Sequence, residues 1–478
     1  MSNTTAKKEK MHISVLITVI VAALVVVGAF GWAIWRNSDA AIDGTVALTV
    51  GDNNVSKAEF SYYYNTQVNY FINTYEQSGL LSYLGIDKTK SLSSQTCTFD
   101  SSKTWAEYFA ESAVSKIEQT YVLYSESIKA GFTPDNEEIQ TTLNQYKTAF
   151  EAYAKTSKVN LDTYLSAAYG KGITWDRFKT FFEKSLIATQ YGNKISDGIE
   201  ASEDEITKYF NDNKSTYYSV DYRSVTFTYT AKDEASKTEA KKKADEFAAK
   251  AVDEATFKTL AWDLLTDEKK AEYEKAGTTD YSLTSGSTAS TLPGDASTWF
   301  MADGRKTGDT TVIDNSSSSN YTVYFYVKCA LKDYKLANVR MLFLSSAGDT
   351  AADTIKAATD KWNASGKTEA DLEALVKEYN SAASNGGLVE NITKGYTADA
   401  VNDWIFADGR KAGDSAVVED KTSDSKGTYI LYYVSDGDVF WHYAAESQVK
   451  GTKYNEKYSE LKKGYETVKK DDVIKSVY

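Results

Sequence analysis

A fifteen-residue block occurs twice in this chain of 478 residues. It reads WFMADGRKTGDTTVI at 299–313 and WIFADGRKAGDSAVV at 404–418. After a polar stretch, each copy is followed by an aromatic and β-branched run that is typical of a strand, at 321–327 and 428–434. A unit of about 100 residues is long enough to bury its own core. The duplication therefore indicates two consecutive α+β domains and not a solenoid of short repeats.

The segments upstream of the two blocks also correspond. YRSVTFTY at 222–229 and VRMLFLSS at 339–346 both have the composition of strands. Apolar residues at helical spacing then predict two helices in each unit. The predicted order is strand, helix, helix, loop, short helix around the tryptophan, and strand. The predicted helices are 235–251, 254–265, 350–364 and 368–379.

The two units resemble the parvulin-type peptidyl-prolyl isomerase domains of extracytoplasmic foldases of the SurA and PrsA type. Parvulins open with a strand that carries a histidine and continue through helices to a Gly-Gly-x-Leu-like turn. They close with Gly-[Glu/Asp]-x-Ser and a strand in a Gly-Tyr-His-Ile context. The matching pieces of the second unit are VRMLFL (339–344), NGGLVE (385–390), GDSAVV (413–418) and GTYILYYV (427–434).

The flanking segments extend this resemblance. The capping-box pattern at 56–59 and EDEITKYFNDN at 203–213 are similar to the helical N-terminal domain of SurA-like chaperones. In that family a C-terminal helix packs back onto the N-terminal domain. The resemblance thus implies an α+β chain of six parts. They are a cytoplasmic tail (1–12), a transmembrane anchor (13–35), a helical SurA-N-like domain (45–220), two parvulin-like repeats (221–334 and 335–437) and a C-terminal helix (438–478) that packs on the helical domain.

Both histidines of the parvulin site are missing from both repeats. By the resemblance they fall on Met341 and Tyr429 in the second repeat. In the first repeat they fall on Ser224 and Thr322. The Asp or Cys that accompanies them in parvulins falls near Asn380. The polar centre of the family's site is therefore replaced, which implies weak or absent isomerase activity.

What remains of the family's groove in the second repeat is apolar. Phe406 falls close to the family's proline-pocket aromatic, and Met301 is its counterpart in the first repeat. A flexible methionine adapts to varied shapes, and a tyrosine adds a hydroxyl that can meet a peptide carbonyl. The competing interpretation is that these side chains are ordinary core residues. The residues expected to line one client-binding depression are Met341, Leu388, Phe406 and Tyr429.

The scarcity of histidine excludes several kinds of site. The chain contains only His12 and His442, whereas Ser-His-Asp catalysis, Cys-His catalysis and multi-histidine zinc sites need more imidazoles. No glycine-rich phosphate loop follows a predicted strand. We therefore expect neither a cofactor nor a metal.

Net charge excludes a nucleic-acid partner. Beyond the hydrophobic segment, 50 Lys and Arg face 66 Asp and Glu, because residues 7–36 hold four of the 54 basic residues and one of the 67 acidic residues. The resulting charge of −16 would repel a phosphate backbone. Cys97 and Cys329 are the only cysteines. They would pair in an oxidising compartment or remain two separate thiols.

The N-terminal segment determines the expected location. Residues 13–35 carry no charge, and at 1.5 Å per residue they are long enough to cross a hydrocarbon core of ~30 Å. Three lysines precede this stretch within residues 7–10, whereas only Arg36 follows closely. The positive-inside rule predicts a single-pass protein of the cell membrane, with a cytoplasmic N-terminus and an extracytoplasmic bulk. The alternative is a signal peptide that is cleaved after Ala40.

Together these features predict a membrane-anchored extracytoplasmic foldase or chaperone that binds unfolded or newly translocated polypeptides. An active peptidyl-prolyl isomerase is the first alternative, since isomerisation breaks no covalent bond and would draw on desolvation in an apolar pocket. A structural or adhesive surface protein is the second. The sequence contains no low-complexity stalk and only 2 Pro, which disfavours that alternative. It leaves the oligomeric state and the identity of the clients open.

The first prediction concerns topology. Protease added to intact cells or protoplasts should digest residues 37–478, while the N-terminal segment stays with the membrane. Immunoblotting of the protected fragment measures this. A mature N-terminus near Ala41, or an ectodomain that resists the protease, would contradict an uncleaved outward-facing anchor.

Overall fold

The computed structural model of this protein is a mixed α+β fold with a helical N-terminal region, which confirms the predicted class. Its described residues form two compact units, one of residues 45–200 with 450–478 and one of residues 201–449. In the described part of the chain, no helix combines the length and apolar character needed to cross a bilayer. The predicted tail (1–12) and anchor (13–35) lie outside the described residues. The residues that the structure describes are 45–277, 280–380, 383–422 and 426–478.

The first unit is built mainly from helices that begin at capping residues. Thr104 and Glu107 form a reciprocal capping box, and Ser56 accepts a hydrogen bond from the backbone N–H of Glu59 at 3.1 Å. The helices bury aromatic rings such as Phe178 in a common core. The elements are β1 (Val46–Val50), β2 (Asn53–Ser56), α1 (Lys57–Gln77), α2 (Trp105–Lys129), α3 (Asn136–Thr156), α4 (Leu161–Tyr169) and α5 (Trp175–Asp197).

The side chain of Glu59 does not complete the capping box that its spacing from Ser56 predicts. Its carboxylate is buried and accepts a hydrogen bond from the Tyr121 hydroxyl at 2.8 Å, with Lys184 Nζ at 3.4 Å. Burial raises the pKa of Glu59, and the Lys184 charge and the Tyr121 hydrogen bond oppose that rise. Because these residues belong to α1, α2 and α5, the group joins three helices of the first unit.

The second unit contains the duplication. It begins with α6 (Glu203–Asp212) and α7 (Lys214–Tyr217). The first repeat then consists of β3 (Tyr218–Thr228), α8 (Glu234–Lys250), α9 (Glu254–Asp263), α10 (Asp267–Lys275), β4 (Leu283–Thr288), α11 (Gly294–Met301), β5 (Thr310–Asn315) and β6 (Asn320–Leu331). The second repeat consists of β7 (Lys335–Ser345), α12 (Ala351–Ala364), α13 (Glu369–Tyr379), β8 (Leu388–Ile392), α14 (Asp399–Ile405), β9 (Ser415–Asp420) and β10 (Gly427–Val439).

The two repeats form antiparallel sheets of the same topology. The strand order is β4-β3-β6-β5 in the first repeat and β8-β7-β10-β9 in the second. Successive side chains of β6 alternate between two apolar cores. Phe325 packs with α8 and α9, whereas Tyr324 packs with α11. Each sheet is therefore covered by long helices on one face and by a short helix on the other.

The C-terminal segment contributes to both units. Its elements are α15 (Phe440–Lys462), β11 (Thr467–Lys469) and α16 (Asp471–Lys475). In the first unit β11 pairs antiparallel with β1, with Lys469 opposite Leu48. In the second unit Ala445 packs with Ile206 and Tyr217. α6 and α7 belong to the second unit, although the sequence predicts them as part of the helical domain (45–220).

The duplicated block has the same internal contacts in both copies. The Arg410 guanidinium lies 4.0 Å from the centre of the Trp404 ring, and its Nε donates to the Trp404 carbonyl at 2.9 Å. Arg410 Nη1 is 3.2 Å from the Asp414 carboxylate. In the first repeat Arg305 lies 4.4 Å from the Trp299 ring and donates to its carbonyl at 3.1 Å. We call this arrangement the Trp–Arg–Asp clamp.

Backbone hydrogen bonds connect the clamp of the second repeat to its last strand. Gly413 N donates to the Tyr433 carbonyl at 2.9 Å, and Tyr433 N donates to the Asp414 carbonyl at 2.8 Å. Gly413 has a φ of 93°, a backbone conformation that residues with a Cβ rarely adopt. The clamp thus fixes α14 relative to β10.

Each opening strand carries a buried arginine on the face of the long helices. Arg340 pairs with Glu369 at 2.9 Å and donates to the Gly386 carbonyl at 2.6 Å. Arg223 pairs with Glu254 at 3.1 Å. Since Glu254 and Glu369 are the first residues of α9 and α13, both arginines tie the opening strand to the second helix of their repeat.

The second prediction tests the clamp. Replacing Arg410 with Ala removes a cation–π contact, a charged hydrogen bond and an ion pair. The free energy of local opening should fall by about 2–3 kcal/mol, seen as faster hydrogen exchange of the β9 and β10 amides. The exposed neighbour Lys411 is the matched control, and its Ala variant should change little. Unchanged exchange in Arg410→Ala would show that the clamp does not hold these strands.

Candidate functional site

The candidate site is the sheet face of the second repeat that α14 covers. Side chains alternate between the faces of a strand, so Val339 of β7 and Leu431 of β10 meet Ile405 of α14. All three side chains are almost fully buried. They form the base of an apolar cluster on this side of the sheet. We call this surface the short-helix face.

Three of the four residues predicted to bind clients lie on the short-helix face. Met341, Phe406 and Tyr429 are partly buried and pack against the same apolar cluster. They come from β7, the residue after α14, and β10 respectively. Although far apart in the sequence, they are therefore brought together by the fold.

The fourth residue, Leu388, is placed on the opposite side of the sheet. The register of β7 with β8 pairs Val339 with Val389 and Arg340 with Leu388. Directly paired residues share a face, so Leu388 points to the side of Arg340 and the long helices. This corrects the expectation that it lines the depression with Met341, because a shift of one residue moves a side chain to the other face.

Phe406 has one aromatic and one cationic neighbour that the sequence does not indicate. The Tyr334 ring meets it edge-on with 5.7 Å between ring centres. Lys394 Nζ lies 5.6 Å from the centre of the Phe406 ring and 4.9 Å from that of Tyr334. Tyr334 lies in the connection between the repeats and Lys394 in the loop after β8, where strand and helix patterns provide no signal.

Tyr429 contributes a polar atom to a mostly apolar surface. It is paired across the strands with Phe343, and their ring centres are 4.7 Å apart. Burial, followed by the charge of Asp420, raises the pKa of Tyr429. Its hydroxyl therefore stays protonated at physiological pH and can donate a hydrogen bond to a peptide carbonyl.

The remaining position of the predicted polar centre, Asn380, is not part of this surface. It is exposed and follows α13, where its backbone N–H donates to the Val376 carbonyl at 2.8 Å. α13 packs on the other face of the sheet, with Leu342 and Ile430. Met341, Phe406 and Tyr429 thus offer apolar area and one hydroxyl, and none of them is a proton acceptor at neutral pH.

The corresponding face of the first repeat has a different chemistry. Thr322 is buried, and its Oγ1 lies 3.3 Å from Thr226 Oγ1 and 3.0 Å from Asn315 Nδ2. It donates to Asn320 Oδ1 at 3.1 Å. Ser224 lies on the same side of β3 as Thr226. Hydroxyl and amide groups therefore occupy the region where the resemblance places the two histidines.

Met301 is the counterpart of Phe406 in the first repeat. It packs against the apolar cluster under α11, and Cys329 Sγ lies 3.8 Å from its sulfur. The structure describes Cys97 and Cys329 as free thiols. Partial burial raises the pKa of the Cys329 thiol, which lowers its reactivity.

Among the described residues, one group could hold a metal ion. The ligand atoms of Asp438, His442 and Glu446 lie within 4.8 Å of one another. However, His442 Nδ1 is 2.5 Å from Asp438 Oδ2, and Nε2 is 3.1 Å from Glu203 Oε2. Partial burial lowers the pKa of His442, but these carboxylates outweigh it and raise the pKa overall. Ion pairing accounts for the group, and we assign no metal to it.

Comparisons with known proteins give weak similarity to foldases. No protein-family model and no curated protein match the chain. One solved structure that matches is the foldase protein PrsA from Streptococcus pneumoniae, which is 20% identical with a TM-score of 0.21, over 62% of this chain and 89% of that chain. Another is foldase protein PrsA from Lactococcus lactis, 12% identical with a TM-score of 0.19, over 72% of this chain and 94% of that chain. TM-scores this low do not establish a shared fold.

The third prediction separates binding from packing at Phe406. Since the ring is only partly buried, Phe406→Ala should weaken the binding of an unfolded client by about 1–3 kcal/mol and leave the fold intact. Fluorescence anisotropy with a labelled unfolded protein and thermal unfolding should be measured on the same sample. A core role would instead cost ~3–5 kcal/mol of stability.

Leu388→Ala is the matched control, because Leu388 is also partly buried but lies on the opposite face. It should leave client affinity unchanged. If Phe406→Ala lowered the melting temperature strongly while its folded fraction bound clients normally, the short-helix face would not be a binding site.

Proposed function

We propose that this protein is an extracytoplasmic foldase or chaperone that binds unfolded or newly translocated polypeptides on the short-helix face of its second repeat. The observation that carries the proposal is the convergence of Met341, Phe406 and Tyr429 on one apolar cluster while each stays partly accessible. A thioether and aromatic rings can accept side chains of many shapes. Such a surface suits ligands of diverse sequence.

Binding is favoured over catalysis by the chemistry of both repeats. The short-helix face of the second repeat has a methionine and a tyrosine at the positions of the family's histidines, and the first repeat has Ser224 and Thr322. General acid–base groups typically contribute about 10² to 10⁴ in rate. The proposal therefore assigns the chain a holding role, with weak or no acceleration of proline isomerisation.

The proposal includes a membrane anchor at 13–35 with the remainder outside the cytoplasm. It rests on the length of this uncharged stretch and on the lysines within residues 7–10. The net charge of −16 on the residues beyond the hydrophobic segment would keep the ectodomain off an anionic lipid surface apart from its tether. Clients emerging from a translocation channel would then meet the protein at the membrane.

The fourth prediction tests the proposed function. The purified protein should suppress aggregation of a chemically unfolded client at near-equal concentrations. In a proline-peptide assay on the same sample, its rate should fall about 10²- to 10⁴-fold below that of a parvulin with both histidines. The double substitution Met341→His with Tyr429→His probes whether those positions can still support catalysis.

Two results would overturn the proposal. Isomerase activity equal to that of an intact parvulin would make the protein an enzyme. Unhindered client aggregation, with correctly folded protein as judged by circular dichroism, would remove the chaperone role. Loss of aggregation suppression in Phe406→Ala, with retention in Leu388→Ala, would support it.

A further inference from the structure

A second concave surface lies within the second unit, where the two repeats are connected. It is a cleft of about 580 Å³ between the ends of β3 and β6 of the first repeat and the loop after β8 of the second. Its floor includes the connection between the repeats and the start of α15. Its lining includes the side chains of Asp221, Lys328, Lys332, Tyr334, Lys394 and Phe440.

Aromatic rings connect the cleft to the short-helix face. Phe440 and Tyr334 stack with ring centres 5.2 Å apart and an angle of 16° between their planes. Tyr334 also meets Phe406 edge-on at 5.7 Å. The wall of the cleft therefore continues, through one ring, to the aromatic residue of the proposed client-binding surface.

Three lysines line the cleft, and neighbouring groups hold two of them in place. Lys394 Nζ lies over the rings of Tyr334 and Phe406. Lys332 Nζ lies 5.9 Å from the centre of the Phe440 ring and donates to Thr288 Oγ1 at 2.7 Å. An ammonium group has three N–H donors, and each of these two lysines directs at most two of them at the contacts described. Donors thus remain for a ligand.

These lysines are not neutralised by ion pairs within the described part of the chain. Asp221 lies opposite Lys328 in the register of β3 with β6, but no ion pair joins their side chains. Instead, Asp221 Oδ1 accepts a hydrogen bond from the Gly286 backbone N–H at 2.7 Å. Asp333 is the other acidic residue of the lining. Three lysines against two aspartates make a locally basic cleft in a chain whose net charge is −13.

We propose that this cleft binds acidic side chains of a client polypeptide while the short-helix face holds a neighbouring apolar side chain. The inference rests on the proposed function and specifies its substrate class. Charge complementarity between the lysines and client carboxylates gives selectivity. The ring contacts of 5.2 and 5.7 Å through Tyr334 place Phe440 at most about 11 Å from Phe406, which is the length of about three residues of extended peptide at ~3.3 Å each. Preferred clients therefore carry Asp or Glu within about three residues of an aromatic or apolar residue.

The fifth prediction is a peptide preference. Two labelled peptides of equal length share a central phenylalanine, and one has Glu and the other has Lys at the flanking positions. The full-length protein in detergent should bind the acidic peptide about tenfold more tightly at low salt, and the difference should shrink as salt is added. The double variant Lys328→Gln with Lys394→Gln should bind both peptides almost equally, and Lys394→Glu should favour the basic one.

The matched control changes the same charge elsewhere. Lys356→Gln with Lys361→Gln removes two exposed lysines of α12, which packs on the opposite face of the sheet. It should keep the acidic preference, and both double variants should keep the circular dichroism of the parent. If the control lost the preference as well, net charge and not the cleft would be responsible, and the inference would be wrong.

The remaining outcomes separate this inference from the function on which it rests. Equal binding of both peptides by the parent would overturn the acidic preference and leave the chaperone proposal standing. Binding of neither peptide would defeat both. If pyrophosphate bound in a lysine-dependent manner while the acidic peptide did not, the cleft would belong to a phosphorylated ligand, which also contradicts the inference.

Discussion

The stacking of Arg410 on Trp404 sets the geometry on which the candidate site depends. The same guanidinium holds the Trp404 carbonyl and the Asp414 carboxylate, so one side chain joins the end of α14 to the start of β9. Backbone bonds from Gly413 and Tyr433 extend this connection to β10. Since Phe406 follows α14 directly, its position over the sheet is determined by the clamp. The Trp, Arg and Gly-Asp residues are therefore repeated in the sequence because both repeats contain the same clamp.

Given this common scaffold, the two repeats differ in what they place on equivalent strands. Because side chains alternate between the two faces of a strand, every second position faces the short helix. In the second repeat these positions include Met341 and Tyr429. In the first repeat they include Ser224 and Thr322. The first repeat satisfies its polar groups internally through Asn315. A hydrogen-bonded network of this kind is costly to leave half-satisfied, whereas the apolar face of the second repeat can exchange contacts with a ligand. The second repeat is accordingly the better candidate for client binding.

The sequence predicts the parts of the fold that have strong local signals. Aromatic, β-branched runs locate β6 and β10, and helical spacing locates α8, α9, α12 and α13 within one or two residues. The edge strands β4, β5, β8 and β9 are missed, because a short segment such as SAVVED becomes a strand only by pairing with β10. Leu388 is misplaced for the related reason that register depends on partners across the sheet. The side chain of Glu59 is expected to cap a helix. It instead accepts a hydrogen bond from Tyr121 and pairs with Lys184, which are distant in sequence.

Contact between unfolded polypeptides and the short-helix face is the interaction on which the proposed function depends. Site-specific photo-crosslinking measures this directly, with a photoreactive phenylalanine analogue placed at position 406, 341 or 388 in separate proteins. We expect crosslinks to an unfolded client from positions 406 and 341, and only background from 388 on the opposite face. Equal crosslinking from all three positions, or crosslinking confined to position 388, would contradict it.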